Sequence, residues 1–287
     1  MNVRIWGCRG SLAAPGKETL RYGGESTCLE IRSETGQRAI IDAGTGIRKL
    51  GLAIMKEQAD PRLTLLLTHS HWDHIAGFPF FQPAYSQNFT ISVCGGPTAQ
   101  QSVWKYLSHA MQAPYFPVEF SALKARFNIG CHCDRIHCDH VLPPGDTSIE
   151  CHSIALNHPN GGYGFKFISG GKTFIFLTDN EIRHHHEGGL PRKVYVDWCR
   201  GADLLFHDAQ FTDEEYASTR GWGHSTYSDA VDLAIEAGVK RLGLFHHDPN
   251  RTDDDVDRQV DWSRERIQKS GAEIECFGCA EGSEMVV

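Results

Sequence analysis

The sequence lacks three features that would each have placed it in a particular class. It contains no apolar run near the roughly 18 residues of a membrane-spanning helix, so we expect no membrane span. The opening MNVRIWG has no charged and then apolar leader, so we expect no signal peptide. Positive charge is in deficit, since 28 Lys and Arg stand against 36 Asp and Glu, a net charge of −8. Such a chain has no general basic field to collect nucleic acid.

The composition of the chain is typical of an ordinary soluble globular protein. The 287 residues are 40% hydrophobic and 22% charged, which suits one large domain or two small ones. No repeat, low-complexity tract or linker interrupts the chain, so we expect a single domain over residues 1–287. The ten Cys are scattered through a chain too large to need disulfides for its stability. Reduced thiols in a cytoplasmic protein are therefore the simpler interpretation.

The stretch TLLLTHSHWDHIAGFPFF carries the strongest chemical pattern. Leu63–Leu67 is an apolar run typical of a buried strand. Four side chains of the metal-ligand type follow within six residues: His69, His71, Asp73 and His74. His69 and His71 are two residues apart in an extended segment, so both point the same way and can hold one metal ion. A helix beginning near Trp72 would turn Asp73 and His74 towards a second position, and these ligand types suit zinc, iron or manganese.

Three later strand ends supply further candidate ligands. His158 follows the predicted strand Ile149–Leu156 and precedes a glycine-rich loop, and we assign it as a third ligand. Asp179 ends a predicted hairpin, and we assign it as the bridging ligand because a carboxylate has two oxygens whereas imidazole cannot bridge. The last buried strand delivers His246 and His247. His246 is preferred because it is the first residue past that strand.

Two other segments rich in histidine or cysteine are interpreted as structural. Cys131, Cys133, Cys138 and His140 could assemble a zinc site, but their C-x-C-x4-C spacing lacks the usual paired two-residue knuckles. A strand and turn is the preferred interpretation there. The run His184-His185-His186 is interpreted as solvated rather than metal-binding.

The HxHxDH string of residues 69–74 resembles the metallo-β-lactamase superfamily, whose members build a dinuclear hydrolytic site at this turn. Further segments resemble its ribonuclease Z-like and bacterial cyclic-phosphodiesterase branch: WGCRGS, RYGG, DAGTGI, PYFP, NHPNGG, TDNE, HDAQFTDEE, GWGHST and LFHHDP. The resemblance covers Ile5 to about Asp254. It implies an α/β fold in the form of a four-layer αββα (α+β) sandwich, with two mixed sheets flanked by helices.

The resemblance also implies roles for individual residues. Metal 1 would be held by His69, His71 and His158, metal 2 by Asp73, His74 and His246, with Asp179 bridging both. Asp73 would also orient the nucleophile, and His224 in GHST matches the position of a catalytic histidine. Asp42 would support the metal-binding turn without touching the ions. We expect two divalent ions, with Zn²⁺ ahead of Mn²⁺ or Fe²⁺.

The resemblance implies a dinuclear phosphodiesterase that hydrolyses small cyclic nucleotides or related cyclic phosphates. Two cations would neutralise the ester, a metal-bridging hydroxide would attack it, and His224 would protonate the leaving oxygen as general acid. We expect a small phosphodiester substrate, no membrane partner and no nucleic-acid partner. A homodimer is expected from the resemblance alone.

Three alternatives stay open. A ribonuclease Z-like RNA endonuclease is disfavoured, because ribonuclease Z carries a long arm for transfer RNA between the positions of His158 and Asp179. Here residues 159–178 already accommodate a hairpin. A lactone or carboxylic-ester hydrolase of the same fold is retained. A non-hydrolytic metal sensor or di-iron redox module is disfavoured, since redox relatives carry Glu where this chain has His71.

Overall fold

The computed structural model describes residues 1–36, 38–57, 60–94, 105–129, 140–142 and 149–287. The first sheet contains β1 (Asn2–Gly7), β2 (Cys28–Arg32), β3 (Arg38–Ile41), β4 (Arg62–Leu66), β5 (Thr90–Cys94), β6 (Arg126–Ile129) and the last strand, β14 (Glu284–Val286). The second sheet contains β7 (His140–Leu142), β8 (Ile149–Ala155), β9 (Tyr163–Ser169), β10 (Lys172–Leu177), β11 (Leu204–Asp208), β12 (Arg241–Phe245) and β13 (Glu275–Gly278). The α-helices are α1 (Ile47–Lys56), α2 (Trp72–Ile75), α3 (Arg192–Cys199), α4 (Asp213–Thr219), α5 (Tyr227–Ala237) and α6 (Asp253–Ser270), and residues 105–110 are also helical.

Both sheets are mixed, and each has seven strands in the part of the chain that the structure describes. The first has the order β14-β1-β2-β3-β4-β5-β6, antiparallel from β14 to β3 and parallel from β3 to β6. The second has the order β13-β12-β11-β10-β9-β8-β7, antiparallel from β7 to β10 and parallel from β10 to β13. Strands β8, β10, β11 and β12 therefore run in one direction, and their carboxyl ends meet at the same edge.

Three buried clusters show how the layers stack. Apolar side chains of β1, β2 and β3 face an aromatic-rich surface of the second sheet, including Phe167, Phe174, Phe176, Phe206 and Phe245. Ile47, Leu50 and Ile54 of α1 cover the outer face of the first sheet. Residues of α3, α5 and α6 cover the outer face of the second. The predicted four-layer αββα arrangement is thus confirmed.

Burial on both faces explains the central strands. All five residues of β11 are buried, and so are all four of β3. In strands buried on both faces, apolar residues tend to follow one another instead of alternating with polar residues. Apart from Arg38 at the start of β3, the polar residues of these two strands lie at the carboxyl end of β11, where His207 and Asp208 are buried. Buried polar side chains need hydrogen-bonding partners. This pair lies at the carboxyl edge of the sheet, where loops can supply them.

The helices are fixed at their amino ends by reciprocal side-chain caps. The sequence Thr226-x-x-Asp229 predicts a capping box, and the structure confirms it at the start of α5. Equivalent boxes begin α4 at Thr212 and α6 at Thr252. Each cap contributes about 1 kcal/mol. The Thr226 cap also fixes the chain two residues after His224.

Several elements were not predicted from the sequence, and some predictions cannot be compared. Strands β6, β7 and β13 and helices α3 and α4 were missed. The amphipathic pattern of residues 99–111 predicts a helix, and the described part of this segment is helical at 105–110. Cys131, Cys133 and Cys138 lie outside the described residues. Within the described ranges, no helix combines the length and apolar character needed to cross a membrane, and the seven cysteines there are free thiols.

Candidate metal centre

The candidate ligands lie at one edge of both sheets, in the loops that follow parallel strands. The HxHxDH turn follows β4, and its last residues enter the short helix α2, as predicted. His158 follows β8, Asp179 follows β10 and His246 follows β12. Because these strands end at the same edge, residues far apart in the sequence are brought together there.

The first group contains His69, His71, His158 and Asp179, whose ligand atoms lie within 4.8 Å of one another. Nδ1 of His71 is 3.0 Å from Nε2 of His158. Oδ2 of Asp179 is 3.5 Å from Nε2 of His69 and 3.8 Å from Nε2 of His158. Ligand atoms around a tetrahedral ion with bonds of ~2.0–2.1 Å are spaced by roughly 3.3 Å. These separations suit a single cation.

The second group contains Asp73, His74, Asp179 and His246, and it shows the same spacing. Oδ2 of Asp73 is 3.2 Å from Nε2 of His74 and 3.1 Å from Nε2 of His246. Oδ1 of Asp179 is 3.3 Å and 3.2 Å from the same two nitrogens. Each oxygen of Asp179 thus faces a different group, which is the geometry a bridging carboxylate requires.

The outward nitrogens of three imidazoles are held by hydrogen bonds. Nδ1 of His74 donates to Asp42 at 2.8 Å, Nδ1 of His158 to the carbonyl of Gly223 at 2.9 Å, and Nδ1 of His246 to Oε1 of Gln210 at 2.9 Å. These bonds select the tautomer that leaves Nε2 free to bind a cation. Asp42 therefore supports the turn as predicted.

Gln210 was missed from the sequence, although it lies in the HDAQF segment that drew attention. Its amide also donates to the hydroxyl of Ser11 at 3.1 Å. Residue spacing gives no signal for either contact. The contact with His246 depends on how β11 and β12 lie side by side, and the contact with Ser11 joins residues 199 positions apart in the sequence.

The residues present fit a pair of divalent cations. Nε2 of His69 and Nε2 of His74 are buried and find no hydrogen-bond partner among the described residues, a costly state unless an ion is bound there. Burial lowers the pKa of His69 and His71, and lowers the pKa of His158 to about 4, so all three imidazoles are neutral at pH 7, the form that can bind a cation. The histidine and aspartate donors form a cluster of the dinuclear kind typical of the fold.

His74 has a different electrostatic environment. Burial alone would lower its pKa, but the charges of Asp73, Asp179 and Asp42 outweigh burial and raise it. Three carboxylates around one imidazole form a strongly negative pocket. A divalent cation relieves that negative charge in the same way as a proton does.

The backbone is unusual at this edge. Among the residues that the structure describes, five that are not glycine have positive φ in the left-handed region: Ser11, Asp42, Asn160, Asp179 and His246. Two of them are candidate ligands and one is the partner of His74. Ser11 donates its backbone N–H to Oδ2 of Asp73 at 2.8 Å. Such conformations cost on the order of 1 kcal/mol or more each, and they persist where surrounding contacts impose them.

His224 lies beside both groups and is paired with Asp208. Its Nδ1 donates to Oδ2 of Asp208 at 3.1 Å, and its ring stacks on His246 at 4.8 Å. Burial lowers the pKa of His224, but the charge and hydrogen bond of Asp208 outweigh burial and raise it to about 9. Nε2 remains for a substrate contact. His224 also lines a cavity of about 440 Å³ together with Ser11, Ser70, His71, Trp72, Asp73 and Asp179.

The remaining candidate histidines lie away from the two groups. His247 is buried behind His246, where its Nε2 donates to the carbonyl of Cys279 at 2.9 Å. The interpretation of residues 184–186 as a solvated run is only partly right. His185 is exposed, but Nε2 of His186 donates to the buried carboxylate of Glu181 at 2.7 Å.

Comparison with known proteins gives the class of this protein. Residues 37–247 match the Beta-lactamase superfamily domain, and the chain belongs to that superfamily. With its histidine and aspartate cluster, it is a metal-dependent hydrolase of the metallo-β-lactamase fold.

Individual relatives agree with this class. A ribonuclease Z of Porphyromonas gingivalis is 24% identical over 290 residues, covering 86% of this chain and 88% of the relative. The metallo-β-lactamase fold protein YhfI of Bacillus subtilis is 18% identical with a TM-score of 0.68, over 99% of this chain and 98% of YhfI. A diphosphatase of the PhnP family is 15% identical with a TM-score of 0.67, over 100% and 97% of the two chains. At these identities the two solved structures establish the fold alone.

Proposed function

We propose that the chain acts as a single domain and hydrolyses small cyclic phosphodiesters, cyclic nucleotides among them. The observation that carries this proposal is the position of His224. A histidine paired with a buried carboxylate lies next to two cation-binding groups and lines the same cavity. This combination suits a substrate that needs both charge neutralisation and protonation of a poor leaving group.

The ions would be held by the two groups described above, with Asp179 shared between them. We favour Zn²⁺ because imidazole and carboxylate in a tight cluster suit it, and Mn²⁺ or Fe²⁺ would accept the same donors. Bound divalent cations would supply Lewis acidity and lower the pKa of a water nucleophile.

The protein's own groups have separate tasks in this proposal. His224 gives a proton from Nε2 to the departing alkoxide, while Asp208 holds the ring and stabilises its charged form. The hydrogen bond of Ser11 and the short contacts of His74 and His246 all fall on Oδ2 of Asp73. Oδ1 of Asp73 is then available to accept a hydrogen bond from the attacking water and to orient that water.

Cavity size and charge support a small substrate. A space of about 440 Å³ lies within the range of small-molecule sites. The net charge of −8 disfavours a long polyanion. Strands β9 and β10 form a hairpin between His158 and Asp179, with Gly170 and Gly171 at its turn. That hairpin stands where a transfer-RNA arm would be expected.

Ribonuclease Z-type cleavage of RNA is the second candidate, and the curated relatives favour it. The Porphyromonas gingivalis ribonuclease Z aligns over most of both chains. Hydrolysis of a lactone or a carboxylic ester is the third candidate activity, because such esters also need an activated water.

One panel separates these activities. The protein, with metal content measured on the same sample, is assayed on cyclic mononucleotides, an aryl phosphodiester, a lactone and a precursor transfer RNA. We expect the highest kcat/KM on a cyclic nucleotide and activity that disappears after chelation. Efficient cleavage of precursor transfer RNA, or a preference for the lactone, would overturn the proposal.

A further inference from the structure

Glu181 lies two residues after Asp179, and its fully buried carboxylate is surrounded by donors. Oε1 accepts from the backbone N–H of Gly221 at 2.8 Å and from the hydroxyl of Tyr216 at 2.7 Å. Oε2 accepts from the N–H of Gly223 at 2.8 Å and from Nε2 of His186 at 2.7 Å. Short bonds to a charged acceptor are the strong kind. No metal ligand role is available to a carboxylate used in this way.

The loop held by Glu181 connects two functional residues. The carbonyl of Gly223 accepts from Nδ1 of His158 at 2.9 Å, and His224 is the next residue. Gly223 has φ of +97°, and a Cβ there would stand 2.1 Å from Nδ1 of His158. The chain thus approaches His158 as closely as glycine allows, and a small movement of the loop would displace both histidines.

The backbone of Glu181 is tied to the same region. Its N–H donates to the carbonyl of Asn157 at 2.9 Å, and its carbonyl accepts from Nδ2 of Asn157 at 2.7 Å. Asn157 directly precedes His158. Three loops of the site, around residues 157, 181 and 221–224, therefore meet at Glu181.

We propose that Glu181 is a positioning residue that sets the orientation of His158 and His224 through the Gly221–Gly223 loop. It touches neither substrate nor ion. The inference rests on the roles proposed for those two histidines, one as ligand and one as proton donor. A purely structural Glu181 would change stability and leave both roles intact.

Glu181→Gln is the sharpest test, because each carboxylate oxygen accepts from one glycine N–H. Whichever oxygen becomes the amide nitrogen, one of those two N–H groups loses its acceptor. We expect at least a tenfold loss of kcat on a cyclic nucleotide, less than a threefold loss on an aryl phosphodiester, and little change in KM. We also expect about one of the two ions to be removed by roughly tenfold less chelator, because His158 loses its support.

Tyr216→Phe is the matched control. It removes one donor from the same carboxylate but leaves both glycine contacts, so all three readouts should stay within threefold of the wild type. A Glu181→Gln variant with the wild-type ratio of activities and the wild-type chelator curve would overturn the proposal, even if its melting temperature fell.

Two further outcomes are decisive. If Glu181→Gln does not fold, Glu181→Asp is measured instead, because its shorter side chain withdraws the carboxylate from the N–H groups of Gly221 and Gly223. An unchanged activity ratio and chelator curve in that variant would overturn the proposal. If the wild type cleaves no phosphodiester, the proposed function is wrong. The role of Glu181 is then decided only by how much chelator removes the ions. A wild-type chelator curve for Glu181→Gln would then overturn its positioning role.

Discussion

Oδ2 of Asp42 accepts a hydrogen bond from Nδ1 of His74 at 2.8 Å, and both side chains are completely buried. Asp42 also accepts from the N–H and the hydroxyl of Thr68 at 2.8 Å each. One carboxylate thereby fixes both the start of the HxHxDH turn and the ring of its last histidine.

Replacing Asp42 should therefore weaken the second ion. We expect Asp42→Ala to lower metal affinity by about 10–100-fold at one of the two positions, the usual effect of removing such a support. Metal retained against increasing chelator measures this. Asp60→Ala, which removes a carboxylate bonded to Arg62 far from the turn, is the control. Equal loss of both ions would assign Asp42 a general folding role instead.

The two ligand groups predict separable metal loss. His158→Ala should empty mainly the first position and His246→Ala mainly the second, because each variant removes one imidazole from one group. Elemental analysis of both proteins should give about one ion per chain. Two full positions in either variant would show that the removed histidine is not a ligand.

His247 provides a comparison for His246. His247→Ala should keep two ions, because its ring points to the carbonyl of Cys279 and away from both groups. It should instead lower stability by about 1–3 kcal/mol, since the buried carbonyl of Cys279 loses its imidazole donor and keeps only the thiol of Cys8. Metal content and denaturant unfolding on the same sample separate the effects. Greater metal loss than in His246→Ala would reverse the assignment.

The leaving group tests His224. A ribose alkoxide leaves poorly without a proton, whereas a nitrophenolate leaves unaided. His224→Ala should therefore lose on the order of 10²–10⁴ in turnover on a cyclic nucleotide and much less on an aryl phosphodiester, with both ions retained. Equal losses on the two substrates would mean that His224 orients the phosphate instead.

Asp203 predicts part of the acid sensitivity of the fold, at the opposite end of β10 and β11 from the site. Burial raises its pKa, but hydrogen bonds from Lys240, the N–H of Thr173 and Lys172 outweigh burial and lower it to about 2. The carboxylate is stabilised in the folded state, so its contribution is present above pH 3.8 and is lost as the pH falls through about 2.

The size of that contribution is about 1 kcal/mol, reduced from the full shift because both lysines are largely exposed. The difference in unfolding free energy between the wild type and Asp203→Asn should shrink between pH 4 and pH 2. Urea titrations at several pH values measure it. A constant difference across that range would contradict the assignment.

The clustering of the candidate ligands at the strand ends could be predicted because its signal is local. An apolar run followed by His69, His71 and Asp73 specifies both a strand and the direction of its last side chains. Side-chain contacts between residues that are distant in the sequence have no such local signal. Asp208 meets His224, and Gln210 meets His246, because β11 lies between β10 and β12. Glu181 also escaped notice, since a carboxylate that binds backbone N–H groups needs no sequence partner.

The secondary-structure misses have similar causes. β13 is short and joins the edge of the second sheet beside β12, so tertiary pairing rather than an apolar run defines it. Helix α4 begins with Asp213, Glu214 and Glu215, and its capping box at Thr212 was overlooked in a segment that drew attention for its chemistry.

Residues with a left-handed backbone conformation at the site present protein engineering with two opposing requirements, backbone stability and retention of the side chain. Asp42, Asp179 and His246 carry side chains that the site uses, yet their backbone conformations favour glycine. A screen that selects only for a higher melting temperature would tend to accept glycine at these positions. Glycine would relieve the backbone strain but would remove the two carboxylates and the imidazole that the site uses. Variants of this protein that melt at higher temperature should therefore be sorted by metal content before they are called improved.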